Sequence, residues 1–110
     1  MIVYTGQIFK YKEYRDKQYI PIDITVKNGH IVAPTWDMVR KYKDGLLTAD
    51  EYTQQYIQIL LSIPIKDLSS LCNDNIVLMC YCKPLVFCHR IILANYLQNM
   101  FIDVEYGGEI

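Results

Sequence analysis

Apolar and polar positions along the chain switch between a period of two and a period near 3.6, and the switches mark its elements. Met1 to Thr5 is apolar and β-branched and stops at Gly6, which predicts a short buried strand ending in a turn. Phe9 to Tyr19 sets aromatics at 9, 11, 14 and 19 among Lys10, Lys12, Arg15, Lys17, Glu13 and Asp16, the pattern of a solvated helix or loop covering a sheet edge. Tyr19 to Val26 alternates again and predicts a second strand, with Pro21 tolerated near its start. Lys27 to His30 then predicts a turn, Asn28-Gly29 being a strong hairpin dipeptide.

Helix signals follow. Thr35 can cap a helix that has Asp37 in its first turn, Lys41 and Lys43 in its last, and Gly45 as its stop. Thr48-Ala49-Asp50-Glu51 is a capping box, with Leu47 and Tyr52 placed as its hydrophobic staple. Tyr52, Tyr56, Ile59, Leu60 and Ile63 then share one helical face, with Gln54, Gln55 and Gln58 opposite, until Pro64 ends the run. Leu68 to Cys72 predicts one more helical turn. Ile76 to Cys82 is apolar on both faces, as a central parallel strand covered by helices must be. A helix is expected from near Cys88 to Met100, and a last strand over Phe101 to Tyr106, where Ile102, Val104 and Tyr106 alternate with Asp103 and Glu105.

The order β, β, α, α, β, α, β predicts an α/β three-layer sandwich whose mostly parallel sheet has about four to five strands joined by right-handed crossovers. A chain of 110 residues that is 52% hydrophobic and 21% charged is expected to fold as one domain over residues 1–110, and excludes intrinsic disorder. The net charge of -1 provides no global basic field, so direct nucleic-acid binding is not expected, and the apolar runs are too short or too interrupted to span a membrane. Without a basic leader before an apolar stretch, the expected location is the cytoplasm. There, clustered cysteines imply buried thiols, a metal site or a reactive thiol rather than disulfides.

The chemistry concentrates in Cys80-Tyr81-Cys82 and Cys88-His89-Arg90, where a central strand gives way to a helix. Ligand sites of open α/β sheets lie at such strand ends, and helix N-termini attract anions. Arg90 is therefore expected to clamp a small anionic, nucleotide-like ligand, and His89 to act as acid or base, switching charge near a pKa of about 6.5. Cys88 or Cys82 is expected to supply the polar or nucleophilic partner. If the first and central strands are adjacent and parallel, Thr5, Gly6 and Gln7, with Asp23 or Thr25 of the second strand, should join Arg90 at this pocket. Cys80, Cys82, Cys88 and His89 also make a Cys-x-Cys-x5-Cys-His set of candidate zinc ligands, though its spacing is not that of the usual knuckle. No cofactor is specified, and zinc is not the favoured reading. The seven residues between Cys82 and Arg90 are too many for the loop of a Cys-based phosphatase, and no Walker, dinucleotide or serine-elbow motif is present.

Leu78 to Cys82 and the following Cys88-His89-Arg90-Ile91-Ile92-Leu93-Ala94 with Leu97 resemble the YeaO-like family of domain of unknown function 488. Ala33-Pro34-Thr35, Tyr42 to Gly45, Thr48, Glu51 to Thr53 and Tyr56 are similar to that family's central helices, and Met1 to Gly6 to its opening strand. The resemblance implies a Rossmann-like α/β fold and no established activity. Many members look acidic where this chain has Cys82, while a second uncharacterised family uses a Cys-x-Cys and Cys-His variant without the Arg, which brings the metal reading slightly forward. The expected function is thus an anion-handling hydrolase or transferase. A non-catalytic nucleotide- or partner-binding module and a small zinc-stabilised domain are the alternatives.

Overall fold

A computed structural model describes residues 1–82 and 87–110. Four strands, β1 (Ile2–Gln7), β2 (Ile20–Asp23), β3 (Ile76–Cys80) and β4 (Glu105–Glu109), form one sheet in the order β2-β3-β1-β4. Every pairing is parallel, and Val3 to Gln7 run level with Ile76 to Cys80. The apolar run of β3 is buried throughout, as its pattern requires. Because β1 leads to β2 on one side and β3 leads across β1 to β4 on the other, right-handed crossovers put their helices on opposite faces. Two separate cores follow. Ile76, Leu78 and Val3 pack beneath α3 (Ala49–Leu61) and α5 (His89–Met100), while Val77 and Met79 pack with Tyr14 of α1 (Tyr11–Asp16). The result is the expected Rossmann-like α/β sandwich, thin on the α1 face.

The local signals act as their chemistry dictates. Thr35 Oγ1 accepts the Met38 amide at 3.1 Å and starts α2 (Trp36–Lys43), and Gly45, at φ 75°, follows its end in the left-handed conformation that glycine tolerates. The capping box of α3 is complete. Glu51 N donates to Thr48 Oγ1 at 3.1 Å and Thr48 N donates to Glu51 Oε1 at 3.0 Å. Thr48→Ala is therefore expected to lower stability by about 0.5–2 kcal/mol without touching ligand binding. An unchanged urea midpoint would contradict that assignment. Pro64 caps α4 (Ile65–Ser70), three residues earlier than the expected turn.

Several expectations are corrected: β1 runs through Gly6 to Gln7 rather than stopping at the glycine, and β3 ends at Cys80 rather than Cys82. Asn28-Gly29 makes no hairpin: it closes a 3₁₀ turn over Val26–Asn28, with Gly29 left-handed at φ 69°. The strand before it ends at Asp23, whose Oδ1 accepts from both the amide and the hydroxyl of Thr25. The last strand begins at Glu105 rather than Phe101, because Phe101 to Asp103 turns and leaves Ile102 fully exposed. The segment after β1 is only partly solvated, since Tyr14 is buried and donates from its hydroxyl to Gln7 O at 3.0 Å. Among the described residues, no helix is long and apolar enough to cross a membrane.

Candidate functional site

Adjacent parallel strands whose outgoing connections take opposite faces leave a crevice at their carboxyl ends. Here those strands are β1 and β3, with Gln7 paired to Cys80. Cys80 ends β3, Cys82 follows in a bend, and Cys88 is the extended N-cap residue of α5. β3 thus stops short of the expected Cys82, and the bend after it brings the Cys82 sulfur to 3.7 Å from that of Cys80. Tyr81 between them instead packs against Phe9, with ring centroids 5.9 Å apart and the planes inclined at 58°. The Cys88 sulfur completes a group in which all three sulfurs lie within 4.8 Å of one another. The three thiols are free, as is half-buried Cys72, which packs against the main core.

The thiols share their ionisation. Hydrogen bonds with Cys82 and Cys88 hold Cys80 far below the usual thiol value, against the opposing effect of burial. The same bonding to Cys80 pushes Cys82 up, and bonding to Cys80 and Cys82 together with burial pushes Cys88 up.

His89 fastens this floor to the neighbouring strand. Its Nε2 lies 2.6 Å from Ile24 O, an acceptor only, so Nε2 carries the proton. Neutral imidazole then leaves Nδ1 as an acceptor 3.5 Å from the Cys88 sulfur. The ring stands edge-on to Tyr56, whose hydroxyl donates to Val32 O at 2.6 Å. Burial lowers the His89 pKa, so the charge switch expected near 6.5 is displaced to more acid conditions.

Arg90 is fully buried, and its guanidinium forks onto Glu109, Nε to Oε1 at 3.1 Å and Nη2 to Oε2 at 3.0 Å. Burial works against its charge, but the hydrogen bonds to Glu109 and the charge of that carboxylate more than offset it, leaving the pKa above the ordinary arginine value. The expected anion clamp therefore already holds a carboxylate.

A cavity of about 400 Å³ opens over the thiols. Its inner wall is a ring cluster in which Tyr42, Tyr52 and Phe87 have centroids 5.0–5.6 Å apart. Trp36, the chain's single tryptophan, lines it and is 57% exposed, and Lys27 and Lys43 line it as well. Of the residues expected to bind or react, Thr25, Cys80, Cys82, Cys88 and His89 line the cavity. Thr5, Gly6, Gln7, Asp23 and Arg90 are not among its lining residues. Thr5 is buried with its hydroxyl 2.7 Å from that of Tyr106. Gly6 makes room for Tyr14, and the Gln7 carbonyl accepts the Tyr14 hydroxyl. Asp23 acts through Thr25, which it holds at the rim.

Lys27, Trp36, Lys43 and the ring cluster escaped the sequence reading. A large exposed aromatic opening an otherwise polar helix, Trp36, was the one local signal for them.

The fold and site define a parallel-sheet α/β domain with a thiol-floored cavity beyond the carboxyl ends of β2 and β3. Residues 22–101 match the family described as "Active DUF488-N3 subclade", and the chain belongs to that family. No curated protein and no solved structure matches the chain.

Proposed function

We propose that this protein is a small enzyme, a hydrolase or transferase, acting on a nucleotide-like anion bound in the cavity. The observation that carries this reading is that aromatic walls, two lysines and three thiols line one cavity of about 400 Å³. That volume suits one small ligand rather than a nucleic-acid strand. Stacking on Trp36 or the ring cluster would hold a flat heterocycle, and Lys27 and Lys43 would pair with its phosphate. Cys82 and Cys88 lie at the reacting end, with His89 orienting Cys88. Arg90, held by Glu109, fixes the start of the helix that carries Cys88 and His89 rather than touching the ligand. The word "Active" in the description of the family agrees with catalysis. A reducing cytoplasm, which keeps thiols free, is the compartment this chemistry fits.

Trp36 is a built-in reporter. Titration with a nucleoside 5′-monophosphate is expected to change its fluorescence saturably, with the parent nucleoside binding more weakly. Lys27→Gln and Lys43→Gln each remove a charge-assisted bond of about 1.5–3 kcal/mol, so at least one is expected to weaken nucleotide binding about tenfold or more. No saturable change, or wild-type affinity in both variants, would overturn the reading.

A further inference from the structure

We infer that Cys80, Cys82 and Cys88 are the protein ligands of one zinc ion whose fourth coordination position opens into the cavity. Tetrahedral zinc with Zn–S bonds of about 2.3 Å separates its sulfurs by about 3.8 Å. Cys80 and Cys82 stand 3.7 Å apart, and Cys88 brings a third sulfur within 4.8 Å of both. The spacing arises from the fold: one ligand ends a strand, the second follows in the bend after it, and the third is the N-cap of the helix that comes next. Thiolate donors select zinc over the oxygen-seeking magnesium and calcium.

The surroundings match the charge such a centre would carry. Zinc with three thiolates has a net charge of −1, and it would sit at the N-terminal end of the 12-residue α5, where the helix field favours an anion. Buried Arg90, the second residue of that helix, is itself paired with Glu109, so the favourable field comes from the helix end. Among the described residues, no imidazole or carboxylate completes the group, and residues 83–86 are Lys, Pro, Leu and Val, which supply none. Three protein ligands and one exchangeable position is the arrangement of a catalytic rather than a structural zinc. All three cysteines line the cavity, so that position faces the proposed substrate. The role of the open position rests on the cavity being the ligand site; the metal itself does not.

The test uses the full chain, reduced and stripped of metal. Cobalt(II) is expected to bind one equivalent with intense thiolate-to-cobalt charge-transfer bands and tetrahedral ligand-field bands, and Zn²⁺ is expected to displace it. Cys80→Ser, Cys82→Ser and Cys88→Ser should each weaken zinc binding about tenfold or more, while Cys72→Ser should leave it unchanged. Imidazole should shift the cobalt ligand-field bands by taking the open position. X-ray absorption of the zinc-loaded wild type avoids any dependence on variants that fail to fold, and is expected to show three sulfurs and one lighter atom. A shell of nitrogen and oxygen alone, an absence of thiolate charge transfer, or an equal loss on Cys72→Ser would overturn the zinc site, and four sulfurs would overturn its open position. Nucleotide titration of the metal-free chain through Trp36 is scored separately, so the zinc site and the nucleotide reading fail independently.

Discussion

Arg90→Gln is expected to lower stability by about 3–5 kcal/mol, the usual consequence of removing one partner of a buried ion pair. The Arg90 side chain is 0% exposed and that of Glu109 is 12% exposed. Glutamine cannot supply the two parallel N–H donors that satisfy the carboxylate, so Glu109 would be left ionised at the edge of the core, or protonated at a cost in free energy. The pair also ties the start of α5 to the end of β4, so its loss loosens the helix that carries Cys88 and His89. Urea denaturation of Arg90→Gln, Glu109→Gln and the double variant measures this. The double variant is expected to lose clearly less than the sum of the singles, because each single strands the group that the other removes. A loss below about 1 kcal/mol in Arg90→Gln would show that the pair is not closed as described.

Gly6→Ala is the second large effect, expected to destabilise by about 1–3 kcal/mol or more through overpacking. A Cβ at Gly6 would lie 2.7 Å from Tyr14 Cζ and closer still to its hydroxyl. Tyr14 has little room to retreat. It is 2% exposed, packed on Val77 and Met79, and bonded through its hydroxyl to Gln7 O. Its neighbours Tyr4 and Tyr19 stack with centroids 4.7 Å apart, so displacing the ring disturbs the whole α1 face. In a Tyr14→Ala background the same Gly6→Ala change should be nearly neutral, since the obstructing ring is gone. Equal losses in both backgrounds, read from thermal or urea unfolding, would contradict this packing.

These two residues mark where sequence reasoning stops. Gly6 was expected to end the first strand, yet β1 runs through it to Gln7; close approach was the right physical expectation, but the approaching group is Tyr14 rather than a ligand. The charges around Tyr14 pointed to solvent, whereas its ring completes the second core. Arg90 stands out at a helix start beside a strand end, yet its partner lies 19 residues away on a strand of weak β character, Glu105–Glu109. Glycines at 107 and 108 hide that strand, and the alternation just before it belongs to a turn.

Local chemistry was legible wherever one element decides it. Five buried residues in a row could only be a central strand, and the capping box could only start a helix. The cysteine convergence was expected from a strand reaching Cys82 and a helix from near Cys88; the strand ends at Cys80, and the bend after it brings Cys82 back to the same place. The cavity wall was not legible, because Trp36, Tyr42, Lys43 and Tyr52 reach the thiols only through the long crossover from β2 to β3. Nothing near those residues in the sequence states which face of the sheet that crossover covers. Asn28-Gly29 misled for a related reason: the dipeptide favours a tight turn, but the next strand is parallel and distant, so no hairpin could close.

A crystal structure of the full chain grown with a nucleoside 5′-monophosphate tests the central claim most directly, namely that the cavity above Cys80, Cys82 and Cys88 is the ligand site. The account predicts the base against Trp36 or the Tyr42, Tyr52 and Phe87 rings, with its phosphate within hydrogen-bond reach of Lys27 or Lys43. A nucleotide bound elsewhere on the sheet, or a cavity that stays empty at saturating nucleotide, would contradict it.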